Sequence, residues 1–353
     1  MIYEPLGVFT LNEGGGWSLS HPGLPVSAML RYIGKRLLMM IPVMLGVTFI
    51  IFLMLELTPG DPAAQILGGE ATQEQINELR EEMGLNDPFI LRYGRYIWDL
   101  LHGDMGTSYT TKQPVTTELL ERFPTTLLLS FLCCVVGAVI GIILGIISAV
   151  KQYTIFDNVS RVLALAGISI PSFWLGLMFI VLFSVKLGWF PSSGFYGPAY
   201  WVLPSLTVGL VQASNVMRQT RSSMLEVIRQ DYIRTARAKG QSELKVVLSH
   251  ALPNAMITIV TVLGMQFGHG LGGAIISEQV FSIPGIGKLM VDAIGNRNYP
   301  MVQGGVLLIA LSFSIVNLLV DILYAFIDPR IKVAYTGRKA ARSKKSERKA
   351  VAQ

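Results

Sequence analysis

Along most of this chain apolar residues do not alternate with polar ones but gather in long runs. A hydrocarbon layer of about 30 Å is crossed by roughly 20 mostly apolar residues in helix, and six runs of about that size follow one another. The first, Leu37 to Leu57, is entered through Lys35-Arg36 and broken only by Glu56. The second, Thr125 to Val150, carries no charge and stops at Lys151. The third, Val162 to Val185, contains Pro171 and Gly176, which neighbouring helices tolerate in a membrane bundle. The fourth, Tyr200 to Met217, is shorter and more polar, with Pro204, Gln212, Ser214 and Asn215. The fifth, Ala255 to Ser277, is glycine-rich and holds His269; the sixth, Met301 to Ile327, is apolar apart from Gln303, Asn317 and Asp321. The pattern predicts an all-α membrane protein with six transmembrane helices.

Two intervening segments are too long to be turns. In residues 58–124, Thr72 caps a predicted helix Gln73–Met83 that stops at Gly84. A second amphipathic helix, Phe89 to Leu101, places Tyr93, Tyr96, Ile97, Trp98 and Leu101 at helical spacing. Such aromatics suit a membrane surface or a docked partner. In residues 218–254, Met224, Ile228, Tyr232 and Ala236 recur every fourth residue, which predicts one amphipathic helix from Arg221 to Lys239. Gly240 then ends it as a C-cap glycine. A second helix runs from Ser242 to His250, and Pro253 is expected to bend the chain towards the fifth span. Two short helices joined at a glycine suit a groove on a cytoplasmic protein, or a basic helix lying on anionic lipid.

Composition agrees with a chain facing lipid. Of 353 residues 51% are hydrophobic and 15% charged, with a mean hydropathy of +0.50, whereas soluble domains carry about a quarter charged residues. The net charge of +6 would suit nucleic acid, but the basic residues sort by side of the membrane instead. With the N-terminus inside, residues 1–36, 151–161, 218–254 and the tail from 328 hold 3, 2, 7 and 9 of them, 21 of the 29. Eleven acids outnumber five basic residues in 58–124. The positive-inside rule therefore places both termini in the cytoplasm. The first run is too long, and starts too far in, to be a signal peptide.

Enzyme chemistry is missing from the sequence. The nearest approach to a phosphate loop, Gly285-Ile286-Gly287-Lys288-Leu289, has Ser282 where glycine is required and Leu289 where Ser or Thr is required. His21, His102, His250 and His269 give no metal spacing, and the adjacent Cys133 and Cys134 read as packing residues. A secondary transporter would show coupling carboxylates at mid-membrane and paired inverted repeats, and neither is visible. Polar residues inside spans are the candidates for a substrate path, because hydrocarbon penalises them unless they face protein or water: Gln212 and Asn215 on span four, Gln266 and His269 on span five. Hydrogen bonding between helices is the competing role. Glu278, at the outer end of span five, is a candidate gate or docking point. Asp321 is expected to pair with a basic residue, and Gly137, Gly141 and Gly145 suit close helix contact. The basic tail 338–353 is expected to be disordered and drawn to the anionic inner leaflet.

A resemblance sharpens this. Asp231-Tyr232-Ile233-Arg234-Thr235-Ala236-Arg237-Ala238-Lys239-Gly240, followed after nine residues by His250-Ala251-Leu252-Pro253, resembles the cytoplasmic "EAA" loop of ABC-importer permeases. The flanking Arg221 to Val227 and Asn254-Ala255 are similar to the dipeptide, oligopeptide and nickel branch. So are Pro59-Gly60-Asp61-Pro62, Glu278 with Phe281 to Gly287, Asn298 to Gly304, and Asp328-Pro329-Arg330. Arg234 and Thr235 replace the name-giving acid and first alanine. The resemblance implies a type I importer permease fold over residues 31–332, between an N-terminal extension, 1–30, and the tail 333–353. It implies a bacterial inner-membrane location and no cofactor in this chain, ATP and magnesium being held by partner subunits. Those partners would be a second, homologous permease subunit, two cytoplasmic ABC ATPases and an extracytoplasmic substrate-binding protein. Asp231, Tyr232, Arg234, Thr235, Ala236, Ala238, Gly240, Leu252 and Pro253 would couple to the ATPases. Short peptides are the implied cargo, with glutathione or nickel chelates as alternatives.

Overall fold

A computed structural model describes residues 8–11, 17–20, 26–68 and 71–327. The basic tail and Asp328-Pro329-Arg330 lie outside the described residues. The chain forms two compact units, Met44–Tyr324 and, separately, Met1–Val43 with Ala325–Gln353. In the latter, β1 (Val8–Leu11) pairs antiparallel with β2 (Trp17–Ser20), Val8 opposite Ser20. A 31-residue helix, α1 (Val26–Glu56), carries the first apolar run.

Residues 58–124 hold the two helices expected of them and, before these, a short one that was not expected. Asp61 caps α2 (Pro62–Leu67) by accepting from Ala63 N at 3.0 Å, with Pro62 in the first turn, where its missing N–H costs nothing. Thr72 and Gln75 form a reciprocal capping box on α3 (Gln73–Glu82), and α4 (Phe89–Leu101) has the predicted bounds. Next comes α5 (Val115–Val150), 36 residues long, which starts ten residues before its apolar run.

The third run is corrected. It does not form one helix but α6 (Ile155–Ser169) and α7 (Ser172–Phe179), the latter continuing as a π-helix over Ile180–Lys186, and the two arms are bent by 100°. Pro171 has no N–H to give and pushes Ile170 out of the helical region, to φ −80°, ψ 124°. After it come α8 (Pro198–Ile228), α9 (Asp231–Ala238), α10 (Glu243–Lys245) with a π-turn at Val246–Ala251, α11 (Leu252–Val280), α12 (Ile286–Gly295) and α13 (Tyr299–Ile327). Among the described residues four helices are long and apolar enough to cross a membrane, or five if the bent pair counts as one span. The expected fourth span lies in α8, whose buried Ser205, Thr207, Gln212 and Ser214 keep its hydropathy low.

Packing follows the small residues. A Cβ on Gly137, Gly141 or Gly145 would stand 2.9, 2.6 or 2.5 Å from the side chains of Gln212, Val216 and Thr220, so the glycine row lets α5 and α8 approach backbone to backbone. Among the described residues, buried apolar side chains form three clusters. One holds Val115, Leu119, Ile286, Met290 and Met301; another holds Leu129, Cys133, Leu203, Phe281 and Ile283. The third surrounds the loop between α8 and α11.

Candidate functional site

The predicted helix from Arg221 to Lys239 is two helices. It breaks at Arg229-Gln230: α8 ends at Ile228, and α9 starts again at Asp231. The break turns α9 so that Ile233, fully buried, and Ala236, 8% exposed, sit in the third cluster with Met224, Val246, Val247, Ala251 and Ile259. Ala236 therefore faces the chain's own core and holds α9 on its bed, whereas the resemblance put it among the residues that couple to the ATPases. The opposite face is open: Asp231, Tyr232, Arg234, Thr235 and Ala238 are all exposed.

Local chemistry fixes this stub in place. Thr235 Oγ1 donates to Asp231 O at 3.0 Å, and Arg234 stands 3.6 Å from the Asp231 carboxylate. Gly240 follows the helix with φ +76° and donates to Arg237 O at 2.9 Å, the left-handed turn that glycine adopts without a steric cost. Arg237 reaches over that turn to Glu243 with two bonds, 3.0 and 2.6 Å, and the carboxylate raises the Arg237 guanidinium above its ordinary pKa. Partial burial raises the Tyr232 phenol as well. Pro253 does not bend the chain. It lies in the first turn of α11, and the π-turn before it continues the helix; Leu252 is half-buried and Pro253 exposed.

Sequence reasoning missed the anchor beneath α8. Asp157, 0% exposed, accepts from Arg221 Nε and NH2 at 2.9 Å each, from Ser148 Oγ at 2.6 Å and from Tyr153 N at 3.0 Å. This ties the end of α5 and the start of α6 to α8, about two turns before α8 ends at Ile228. Its signal was available: Asp157 is the one acid in residues 151–161.

The substrate-path candidates do not converge. Gln212 is buried where α5, α8 and α11 cross, near Gly137 and Gly270, and its Oε1 has no hydrogen-bond partner among the described residues. Asn215 is half-buried and accepts from Arg218 at 3.0 Å. Gln266 is half-buried, and His269 is exposed with its ring 5.5 Å from that of Phe313 on α13. Glu278 is fully buried, so it cannot be a docking point on the surface. It accepts from Thr126 Oγ1 at 2.7 Å and Lys288 N at 2.9 Å, while Thr126 Oγ1 accepts from Ile286 N. A Cβ on Gly285 would collide with that carboxylate. The Phe281 to Gly287 block thus wraps the backbone at the start of α12 around one buried acid. Asn298 does similar work, accepting from Tyr109 N at 3.0 Å and donating to Ser108 Oγ at 2.8 Å.

A family model described as "Binding-protein-dependent transport system inner membrane component" matches residues 141–333, and its N-terminal companion matches residues 29–130. The glutathione transport system permease protein GsiC of Salmonella paratyphi A is 46% identical over 86% of this chain and 99% of its own length. The dipeptide transport system permease protein DppB of Alkalihalophilus pseudofirmus is 42% identical over 86% of this chain and all of its own. Among solved structures, a chain of the inward-facing methionine ABC transporter MetNI superposes with a TM-score of 0.50 at 21% identity, covering 60% of this chain and 97% of that one, a likeness of fold. With both family models matched in order and relatives this similar end to end, the chain belongs to the binding-protein-dependent transport system inner membrane component family, the permeases of ABC importers.

Proposed function

We propose that this permease moves short peptides into the cytoplasm, glutathione being the close alternative, and that α9 is the element through which partner ATPases drive it. The observation that carries the second part is the two-sided character of α9. Ile233 and Ala236 bind it to the chain's own core, while Asp231, Tyr232, Arg234, Thr235 and Ala238 stand free on the other side. A helix anchored in this way moves as a rigid lever. The relatives named for dipeptide and glutathione transport support the cargo class.

In this reading six spans cross the inner membrane over residues 31–332, with both termini and the loop 218–254 in the cytoplasm. A second permease subunit completes the pathway, and an extracytoplasmic binding protein delivers the cargo. ATP and magnesium belong to the two ATPase subunits. Their closure on ATP pushes α9, the Asp157–Arg221 tie carries the push from α8 to α5 and α6, and the permease pair switches between inward-open and outward-open states. Of the candidates Gln212, Asn215, Gln266 and His269, Gln212 is the best supported as a cargo contact, since its Oε1 has no hydrogen-bond partner among the described residues.

The test is co-purification with the cognate ATPases, followed by binding-protein-stimulated ATP hydrolysis in liposomes. Arg234→Ala and Tyr232→Ala are expected to lower stimulation without unfolding the chain. A complex that assembles and responds normally with both changes would refute α9 as the contact. The ligand retained by the neighbouring binding protein decides between peptide and glutathione.

A further inference from the structure

The helix α4 belongs to the outer segment, yet it packs on the flank of a span. Phe89 and Tyr93 meet the rings of Phe49 and Phe52 at 5.3–5.9 Å, and Tyr96 stacks at 5.8 Å on Phe52. Tyr93 Oη lies 3.1 Å from both Thr48 Oγ1 and Leu45 O. Phe52 and Phe49 stand 4 and 7 residues before the end of α1 at Glu56, about 6 and 10 Å along the helix at 1.5 Å per residue. The crossing therefore lies one to two turns inside the Glu56 end of α1.

Around α4 the faces divide into thirds. Phe89, Tyr93, Tyr96 and Leu100 turn towards α1. Arg92, Arg95, Asp99 and His102 form a polar third, with Arg92 paired to Glu56 at 2.9 Å. The remaining third is apolar and uncovered: Ile90, Leu91, Gly94, Trp98, at 65%, and Leu101, at 76% exposure. Over Gly94, where no side chain fills the space, Pro88, Ile90, Leu91 and Trp98, with Arg95 at one edge, line a shallow groove of about 520 Å³. On α1, at the same end, Ile50, Leu53 and Met54 are exposed apolar residues too.

We propose that α4 is embedded in the outer leaflet, its Ile90–Leu101 face and the Gly94 groove covered by phospholipid acyl chains and Trp98 set at the headgroup boundary. Packing on a helix whose own apolar residues are exposed, the depth of the crossing and the polar third flanking it select lipid as the occupant. A water-facing docking helix would need none of the three. The proposal rests on α1 being a span.

The test is power-saturation electron paramagnetic resonance on the assembled transporter in nanodiscs. Nitroxides are placed on Ile90→Cys, Leu101→Cys, Asp99→Cys and, as a control on the span, Ile50→Cys, each in a cysteine-free background. The ratio of oxygen to nickel-chelate accessibility at 90 and 101 is expected to match that at 50 and to exceed that at 99 several-fold. Labels at 90 and 101 closed to both reagents would mean that the binding protein or the second permease covers this face. Labels there open to nickel would mean water; either result, with 50 still in lipid, overturns the proposal. Nickel access at 50 would instead refute the span on which the proposal rests.

Discussion

Arg221→Met tests the anchor beneath α8. The change keeps the length of the stem and removes the guanidinium, leaving the fully buried Asp157 without its hydrogen-bonded cation and with only the more distant Arg161 guanidinium, at 3.8 Å. Removing one partner of a buried ion pair costs about 3–5 kcal/mol, against about 0–1 for a surface pair. Here Ser148 Oγ and Tyr153 N still donate to the carboxylate, and the Arg221 side chain is 20% exposed, so water can partly follow. Both features argue for the low end, about 3 kcal/mol. The double change Asp157→Asn with Arg221→Met removes the stranded charge and should cost less than the single change, about 1–2 kcal/mol, because what remains is a set of neutral hydrogen bonds. Equilibrium unfolding in mixed micelles, run as a double-mutant cycle, measures the difference. Binding-protein-stimulated ATP hydrolysis, measured on the same variants below their melting points, tests the transmission of the push. Arg221→Met within about 0.5 kcal/mol of the parent, the range of an ordinary surface change, would refute the anchor. A double variant as unstable as the single one would show that the loss comes from packing of the Arg221 stem and not from the stranded carboxylate.

The loop divides into core and surface in a way that mutations can read. Ala236→Trp must overpack the third cluster and should lose about 1–3 kcal/mol in the same unfolding assay, whereas Arg234→Ala should leave stability unchanged and weaken ATPase binding in pull-down. Gly240→Val forces a β-branched residue into a left-handed turn at a cost of at least about 1–2 kcal/mol and should depress transport; Gly240→Asn, which tolerates that conformation better, should restore most of it. Gly141→Ala sets a Cβ 2.6 Å from that of Val216 and 2.7 Å from Ala213 O; a melting temperature equal to the parent's would mean that α5 and α8 are not in backbone contact. Glu278→Ala leaves Lys288 N and the Thr126 hydroxyl without their acceptor, about 1–3 kcal/mol for a buried loss. Proteolysis between α11 and α12 should accelerate accordingly.

Sequence alone determined what depends on composition over long windows and on single local rules. Uncharged runs mark long helices because lipid leaves no other way to satisfy the backbone. Capping at Thr72, the bounds of α4 and the glycine stop at Gly240 follow from local chemistry, and the ordered blocks from Pro59 to Gly304 carry the family. Tertiary structure decided everything set by which face turns inward. Met224, Ile228, Tyr232 and Ala236 share a spacing, but the break at Arg229-Gln230 rotates α9 relative to α8, so Ile233 and Ala236 are buried and Tyr232 is not. No one-dimensional period can show a rotation at a break. Glu278 reads as an exposed acid at a span end until the start of α12 folds over it with Thr126, 152 residues away. Asp157 and Arg221, 64 residues apart, meet where the start of α6 packs on α8 beside Ser148 at the end of α5. The sequence spaced these charges; contact between helices made one of them an anchor and the other its partner.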